Sequence, residues 1–329
     1  MTAKYINNLS ECPTELGRVT VEVSTWCNLS CVGCIRTIDI QKNQWTNRHI
    51  SVEVFRNVVA NLPPAKLLVM HGIGEPLLHP QYKELVTIAA ESRKFGSLHC
   101  NTNALAKPTS LYGELQFAGL TNFNVSVDSL NPVFAERTRA GTDTEKLTTR
   151  LAAFQNEGLR FGITMVASKK NLLDIPSTLQ LLSEVVKCNV FIQCYIDHDD
   201  GDAGLSLEDT VLLEQWLAEL RPRLPELKIY FSSKYVEKKT ALPMCMAPWF
   251  DPGVTVEGYL TPCCVEWDPS VLGYQNLGKQ GLPEIWHSPA FQKFLAAYTT
   301  QSPIFCRNCS EDVRANIHHG SATPVGHHP

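Results

Sequence analysis

The chain has 329 residues, 44% hydrophobic and 19% charged, with a formal net charge of -4 and a sequence pI of about 6.2. That is enough apolar material for a substantial core and about two domains. It excludes a strongly basic surface, so neither nucleic acid nor an electrostatically bound membrane is expected as a partner, and runs such as Lys66-Leu67-Leu68-Val69-Met70 are too short to span a bilayer.

Residues Met1 to Asn8 lack the apolar stretch of a secretory signal, which points to the cytoplasm. Reducing conditions there argue against disulfides, so clustered members of the twelve cysteines read first as metal ligands. From Arg18 to about Tyr195, β-rich runs alternate with segments of helical period, the pattern of parallel βα units. Strands are predicted over 19–24, 66–70, 97–100, 122–127, 160–166 and 189–195. Helices are predicted over about 51–61, 82–95, 109–118, 144–157 and 177–186, with Ser51 and Ser177 as N-caps and Gly96, Gly119 and Gly158 at C-termini. Six such units fall short of a closed eight-unit barrel, so the expected fold is α/β, a partial (βα)6 TIM-like barrel whose working face lies at the strand C-termini. A helix over about 207–220 is followed by Pro222 and Pro225, which mark a boundary. The expected organisation is an N-terminal extension 1–17, a barrel 18–230, a small β-hairpin and helix domain 231–315, and a disordered tail 316–329.

Directly after the first strand stands Cys27-Asn28-Leu29-Ser30-Cys31-Val32-Gly33-Cys34, three thiols on one short loop. A structural zinc site wants four closed ligands, whereas an iron-sulfur cubane held by three thiolates leaves one iron open. Further on, His71-Gly72-Ile73-Gly74-Glu75-Pro76 follows the second strand, Asn101-Thr102-Asn103 ends the third, and Ser126-Val127-Asp128-Ser129 ends the fourth. Singly these are turns and strand ends; on successive strands they converge on one face.

This Cys-x3-Cys-x2-Cys loop resembles the signature of the radical S-adenosylmethionine superfamily. The resemblance implies that Cys27, Cys31 and Cys34 hold a 4Fe-4S cluster whose open iron chelates S-adenosylmethionine, and that reductive cleavage yields a 5'-deoxyadenosyl radical that takes a substrate hydrogen. It implies a flavodoxin- or ferredoxin-type electron donor. Gly72, Gly74 and Glu75 resemble the motif that receives the methionyl ammonium, and glycine permits that close approach. Asn103, Ser126 and Asp128 stand where polar groups meet ribose or substrate, and Arg139 resembles the arginine that pairs with the methionyl carboxylate. Gly33 replaces the aromatic residue that the family usually carries beside the adenine, leaving a backbone contact.

The C-terminal part carries Cys245, Cys263, Cys264, Cys306 and Cys309, and Gly258-x4-Cys263 resembles the hairpin of SPASM and Twitch extensions. With five cysteines rather than about seven, the shorter Twitch arrangement is expected. The resemblance implies a second 4Fe-4S cluster on Cys245, Cys263, Cys306 and Cys309; a zinc ribbon is the other use of such a set. Cys264 is left over. If Cys263 is the ligand, its neighbour points to the other side of the strand and can serve as a hydrogen-atom donor, as in resembling epimerases, or as a packed core residue. Cys100 and Cys194 read as core or lining residues.

Four functions follow. The leading expectation is epimerisation of a small polar substrate, a sugar or aminocyclitol, with Cys264 as donor. Dehydrogenation of a secondary alcohol, with the auxiliary cluster as electron acceptor, is the second. The third is maturation of a ribosomal peptide, placed lower because about 18 residues before the first strand leave no room for a leader-recognition domain. A non-enzymatic metal-binding protein is the fourth, disfavoured by a glycine turn beside a three-thiol loop. Glu75, Asp128, Asp197, Asp199 and Asp200 are acids that can meet substrate amino groups, although an acidic loop is also an ordinary solvated one.

Overall fold

The computed structural model describes residues 11–196, 203–232, 245–301, 303–306 and 309. Residues 1–10, the acidic loop with Asp197, Asp199 and Asp200, the junction 233–244 and the tail 316–329 lie outside the described residues.

Seven strands run parallel: β1 (Leu16–Val21), β2 (Ala65–Val69), β3 (Phe95–Thr102), β4 (Asn122–Ser126), β5 (Phe161–Ala167), β6 (Cys188–Cys194) and β7 (Leu227–Ser232). Each pairs with the next in sequence, and the short antiparallel hairpin β8 (Gly253–Val254) and β9 (Leu260–Thr261) adds to the free edge of β1. The order β7-β6-β5-β4-β3-β2-β1-β8-β9 is that of a barrel wound in one direction and left open. Val19, Leu68, Val125, Ile163 and Val190 are fully buried, as expected of parallel strands covered by crossover helices.

The crossovers carry helices whose caps were legible. Ser51 Oγ accepts from Val54 N at 3.1 Å at the start of Val52–Asn61, and Ser206 and Asp209 form a capping box on Leu207–Leu220; each such cap contributes about 1 kcal/mol. Tyr112, Phe123, Phe154 and Phe161 form a ring-to-ring block with centroids 4.6 to 5.9 Å apart, seating helices Ser110–Phe117 and Thr144–Asn156 against β4 and β5.

Three expectations are corrected. Six parallel strands are expected, and Leu227 to Ser232 form a seventh; Leu227 and Ile229 face the core while Lys228 and Tyr230 are exposed. The prolines end the preceding helix rather than the barrel. Ser177 is not an N-cap: the helix spans Ile175–Val185 with Pro176 in its first turn. Gly96 lies inside β3, where a Cβ would come 2.9 Å from Lys66 O of the neighbouring strand, and Arg93 takes the left-handed conformation after the helix instead.

Candidate active site at the barrel mouth

The three-thiol loop is fastened from several sides. Leu29 N donates to Cys27 Sγ at 3.5 Å, the amide of Asn103 lies 3.9 Å from the same sulfur, and the buried Arg36 guanidinium donates to Leu29 O at 3.1 Å. Cys34 ends the loop and begins helix Ile35–Gln41. Cys27, Cys31, Cys34, Gly33, Gly72, Gly74, Glu75, Asn103, Ser126, Asp128 and Arg139, drawn from five segments of sequence, all line one cavity of about 310 Å³. Burial pushes the Cys27 thiol up to about 11.

The glycine turn sits where only glycine fits. A Cβ on Gly74 would come 2.3 Å from Ser24 O, and one on Gly72 would come 2.5 Å from Cγ of Glu22. Glu22 is a buried carboxylate that accepts the Ile73 N–H at 2.9 Å; burial, with a smaller contribution from Glu257, pushes its pKa up to about 7 despite that bond. Glu75 turns inward and is almost wholly enclosed. Its carboxylate accepts from Thr102 Oγ1 at 2.8 Å, Asn103 N at 2.8 Å and Leu77 N at 3.1 Å, so it ties the turn to the end of β3. His71 accepts the Asn101 N–H on Nδ1 at 3.0 Å, and burial pushes its pKa down to about 3. Its neutral ring therefore carries the proton on Nε2.

Across the cavity, Asp128 Oδ1 accepts from Val166 N at 2.9 Å while Oδ2 faces Arg139 Nη1 at 3.6 Å. Arg139 is held charged by Cys31 and Asp128 against the cost of burial, and its Nε is buried with no partner. The place left by Gly33 is filled from β6. Tyr195 Oη donates to Gly33 O at 3.1 Å, and Gly33, at φ +79°, could carry no side chain because its Cβ would meet that oxygen. Sequence reasoning missed Tyr195, Glu22 and Arg36. Tyr195 follows β6 by one residue, and only the superposition of strand ends brings it to the thiol loop.

Cys245, Cys263, Cys264, Cys306 and Cys309 line a second, smaller cavity of about 70 Å³. The hairpin that carries Cys263 turns on Gly258 at φ +85°. Glu266 N donates to Cys263 Sγ at 3.5 Å, Ala247 N to Cys245 Sγ at 3.4 Å, and Arg18 Nη2 lies 3.7 Å from Cys264 Sγ. Burial pushes the Cys263 thiol up to about 12. The alternation argument for Cys264 fails. β9 ends at Thr261, so the Cys263-Cys264 pair stands in a bend outside the ladder, and both side chains line the auxiliary cavity. Cys264 is absent from the walls of the barrel-mouth cavity.

The donor chemistry fits iron-sulfur clusters at both places. Three thiols on one loop at the barrel mouth and four beside the hairpin are thiolate donor sets of the kind such clusters take. The unpartnered Arg139 Nε beside the three thiols is a donor suited to a carboxylate. Among the described residues no helix is long and apolar enough to cross a membrane.

Comparison with known proteins agrees with this geometry. The radical SAM superfamily profile matches residues 21–182, and that of SPASM, an iron-sulfur cluster-binding domain, matches residues 245–310. PqqA peptide cyclase of Xanthomonas oryzae pv. oryzae is 25% identical over 312 residues, covering 88% of this chain and 79% of its own. A tungsten-containing aldehyde ferredoxin oxidoreductase cofactor-modifying protein of Pyrococcus furiosus is 25% identical over 175 residues; the match covers 49% of this chain and about half, 47%, of that protein. Among solved structures, Streptococcus suis SuiB bound to S-adenosylmethionine superposes with a TM-score of 0.68 at 16% identity, over 96% of this chain and 76% of SuiB. SuiB bound to precursor peptide SuiA gives the same score at 13% identity, over 94% of this chain and 72% of SuiB.

Proposed function

This chain belongs to the radical SAM superfamily and carries a SPASM domain, and from that premise we propose that it modifies a peptide by hydrogen-atom abstraction. The family's cofactors are S-adenosylmethionine and two 4Fe-4S clusters. Cys27, Cys31 and Cys34 would hold the first cluster, and Cys245, Cys263, Cys306 and Cys309 the second. When bound, these groups supply reductive cleavage of S-adenosylmethionine and removal of one hydrogen atom from the substrate.

The observation that carries the reading is the convergence of three thiols, the Gly72-Ile73-Gly74 turn and Arg139 on one cavity at the strand C-termini. The turn's backbone groups accept an ammonium, and Arg139 receives a carboxylate. Glu22 and Glu75 hold the turn from below, and Tyr195 closes the side left open by Gly33. The substrate class is supported by the likeness to a peptide cyclase across most of the chain. The sugar and aminocyclitol reading ranks below it, since Cys264, its hydrogen donor, lines the auxiliary cavity instead.

The test is turnover by anaerobically reconstituted protein with S-adenosylmethionine and a reductant, comparing a pool of synthetic peptides with a panel of sugars and aminocyclitols. A peptide product changed in mass, formed together with 5'-deoxyadenosine, is expected. A sugar or aminocyclitol inverted or oxidised while no peptide reacts would overturn the peptide reading.

A further inference from the structure

Between the two thiol-lined cavities lies a third, the largest of them at about 510 Å³. Ile73, on the glycine turn, lines both it and the barrel-mouth cavity, while Val265 and Phe305 line both it and the auxiliary cavity. A molecule filling it therefore lies against the glycine turn on one side and, on the other, against Val265 and Phe305, which also wall the auxiliary cavity. Its size is that of a site for one or two side chains rather than a bound water.

The walls have a definite chemistry. Trp45 and Trp267 face the cavity with their indole N–H groups donating to Thr25 O at 3.1 Å and Cys264 O at 3.0 Å, so both rings are fixed and offer apolar surface. Asp39, Glu266 and Asp268 bring three carboxylates to the same walls, and no Lys, Arg or His stands among the described residues that line it. Asp39 has no hydrogen-bond or ion-pair partner for its carboxylate among the described residues, whereas Asp268 is met by Ser270. The Glu266 carboxylate accepts the Asp268 N–H at 2.8 Å. Fixed indoles beside carboxylates bind a cation through ring faces and charge together.

Resting on the peptide reading above, we propose that this cavity is the substrate site and that it takes a peptide segment presenting a lysine or arginine side chain.

The test uses reconstituted holoenzyme, immobilised, with two synthetic heptapeptide pools randomised except at the centre, which is lysine in one and its uncharged isostere norleucine in the other. Retention is read by mass spectrometry. The lysine pool is expected to be retained at least tenfold better at low salt, with the preference shrinking as salt is raised. Asp39→Asn with Asp268→Asn should bring the two pools within about twofold while iron content and S-adenosylmethionine binding stay at wild-type level; Asp39→Asn alone should give part of the loss. Equal retention of both pools by the wild type, or an undiminished lysine preference in the double variant, overturns the cationic site and leaves the peptide reading standing. If neither pool is retained but a diaminocyclitol binds the wild type and not the double variant, the carboxylates select a cation and the peptide reading is the part that fails.

Discussion

Replacing Glu22 by glutamine separates charge from shape beneath the glycine turn. The amide oxygen of the new residue still accepts the Ile73 N–H that Glu22 holds at 2.9 Å, but it carries no charge. In the wild type, burial raises this carboxyl from 4.5 to about 7, with Glu257 adding to the rise and the Ile73 bond opposing it. Between those values the folded chain binds more protons than the unfolded one, so stability falls as pH rises through the window. At about 1.4 kcal/mol per pH unit the folded protein loses about 3 kcal/mol by pH 8. Glu22→Gln should therefore match the wild type near pH 4.5 and exceed it by about 3 kcal/mol at pH 8, or roughly 6 °C in melting temperature for a chain of this size. Thermal unfolding of both proteins, identically loaded and scanned from pH 5 to 8, measures this. A variant less stable than the wild type by the same margin at every pH would mean that Glu22 is ionised and favourably paired, and the reasoning would be wrong.

Other variants probe the remaining parts of the site. Glu75→Ala strands the N–H groups of Asn103 and Leu77 and the Thr102 hydroxyl, and should cost roughly 3–9 kcal/mol at 1–3 kcal/mol per unsatisfied buried group; a loss below 1 kcal/mol by denaturant titration would show that the turn does not depend on it. Tyr195→Ala should weaken S-adenosylmethionine binding about tenfold, within the roughly 1–3 kcal/mol of base-aromatic stacking, while Tyr195→Phe keeps most of the affinity; calorimetric titration decides. Cys264→Ala should leave the iron content of reconstituted protein unchanged, and loss of about four irons would identify Cys264 rather than Cys263 as the ligand.

How much of this could be read beforehand depended on how local each signal is. The strand–helix alternation, the thiol loop and the capping serines are contiguous patterns, and β2 to β6 and most helices stand within a few residues of expectation. β7 was lost because Pro222 and Pro225 look like a domain break, when they only end a helix. Glu22 and Tyr195 act on the turn and the thiol loop from 51 and 162 residues away, respectively, distances at which no spacing rule operates. The position of Cys264 escapes for the opposite reason: strand alternation holds only to Thr261, the last paired residue, and Cys263 and Cys264 lie beyond it. The sign of the third cavity is equally non-local, since Asp39 and Glu266 are separated by most of the chain and meet only in the fold.

Three thiols at the barrel mouth would hold one cluster that acts on S-adenosylmethionine, and four near the hairpin would hold another. Iron analysis and 5'-deoxyadenosine formation, measured on reconstituted wild type and on Cys27→Ala/Cys31→Ala/Cys34→Ala, test that division directly. The wild type should bind about eight irons and cleave S-adenosylmethionine, and the triple variant should keep about four irons and form no 5'-deoxyadenosine. Continued cleavage by the triple variant, or a wild type that takes up zinc in place of iron, would contradict it.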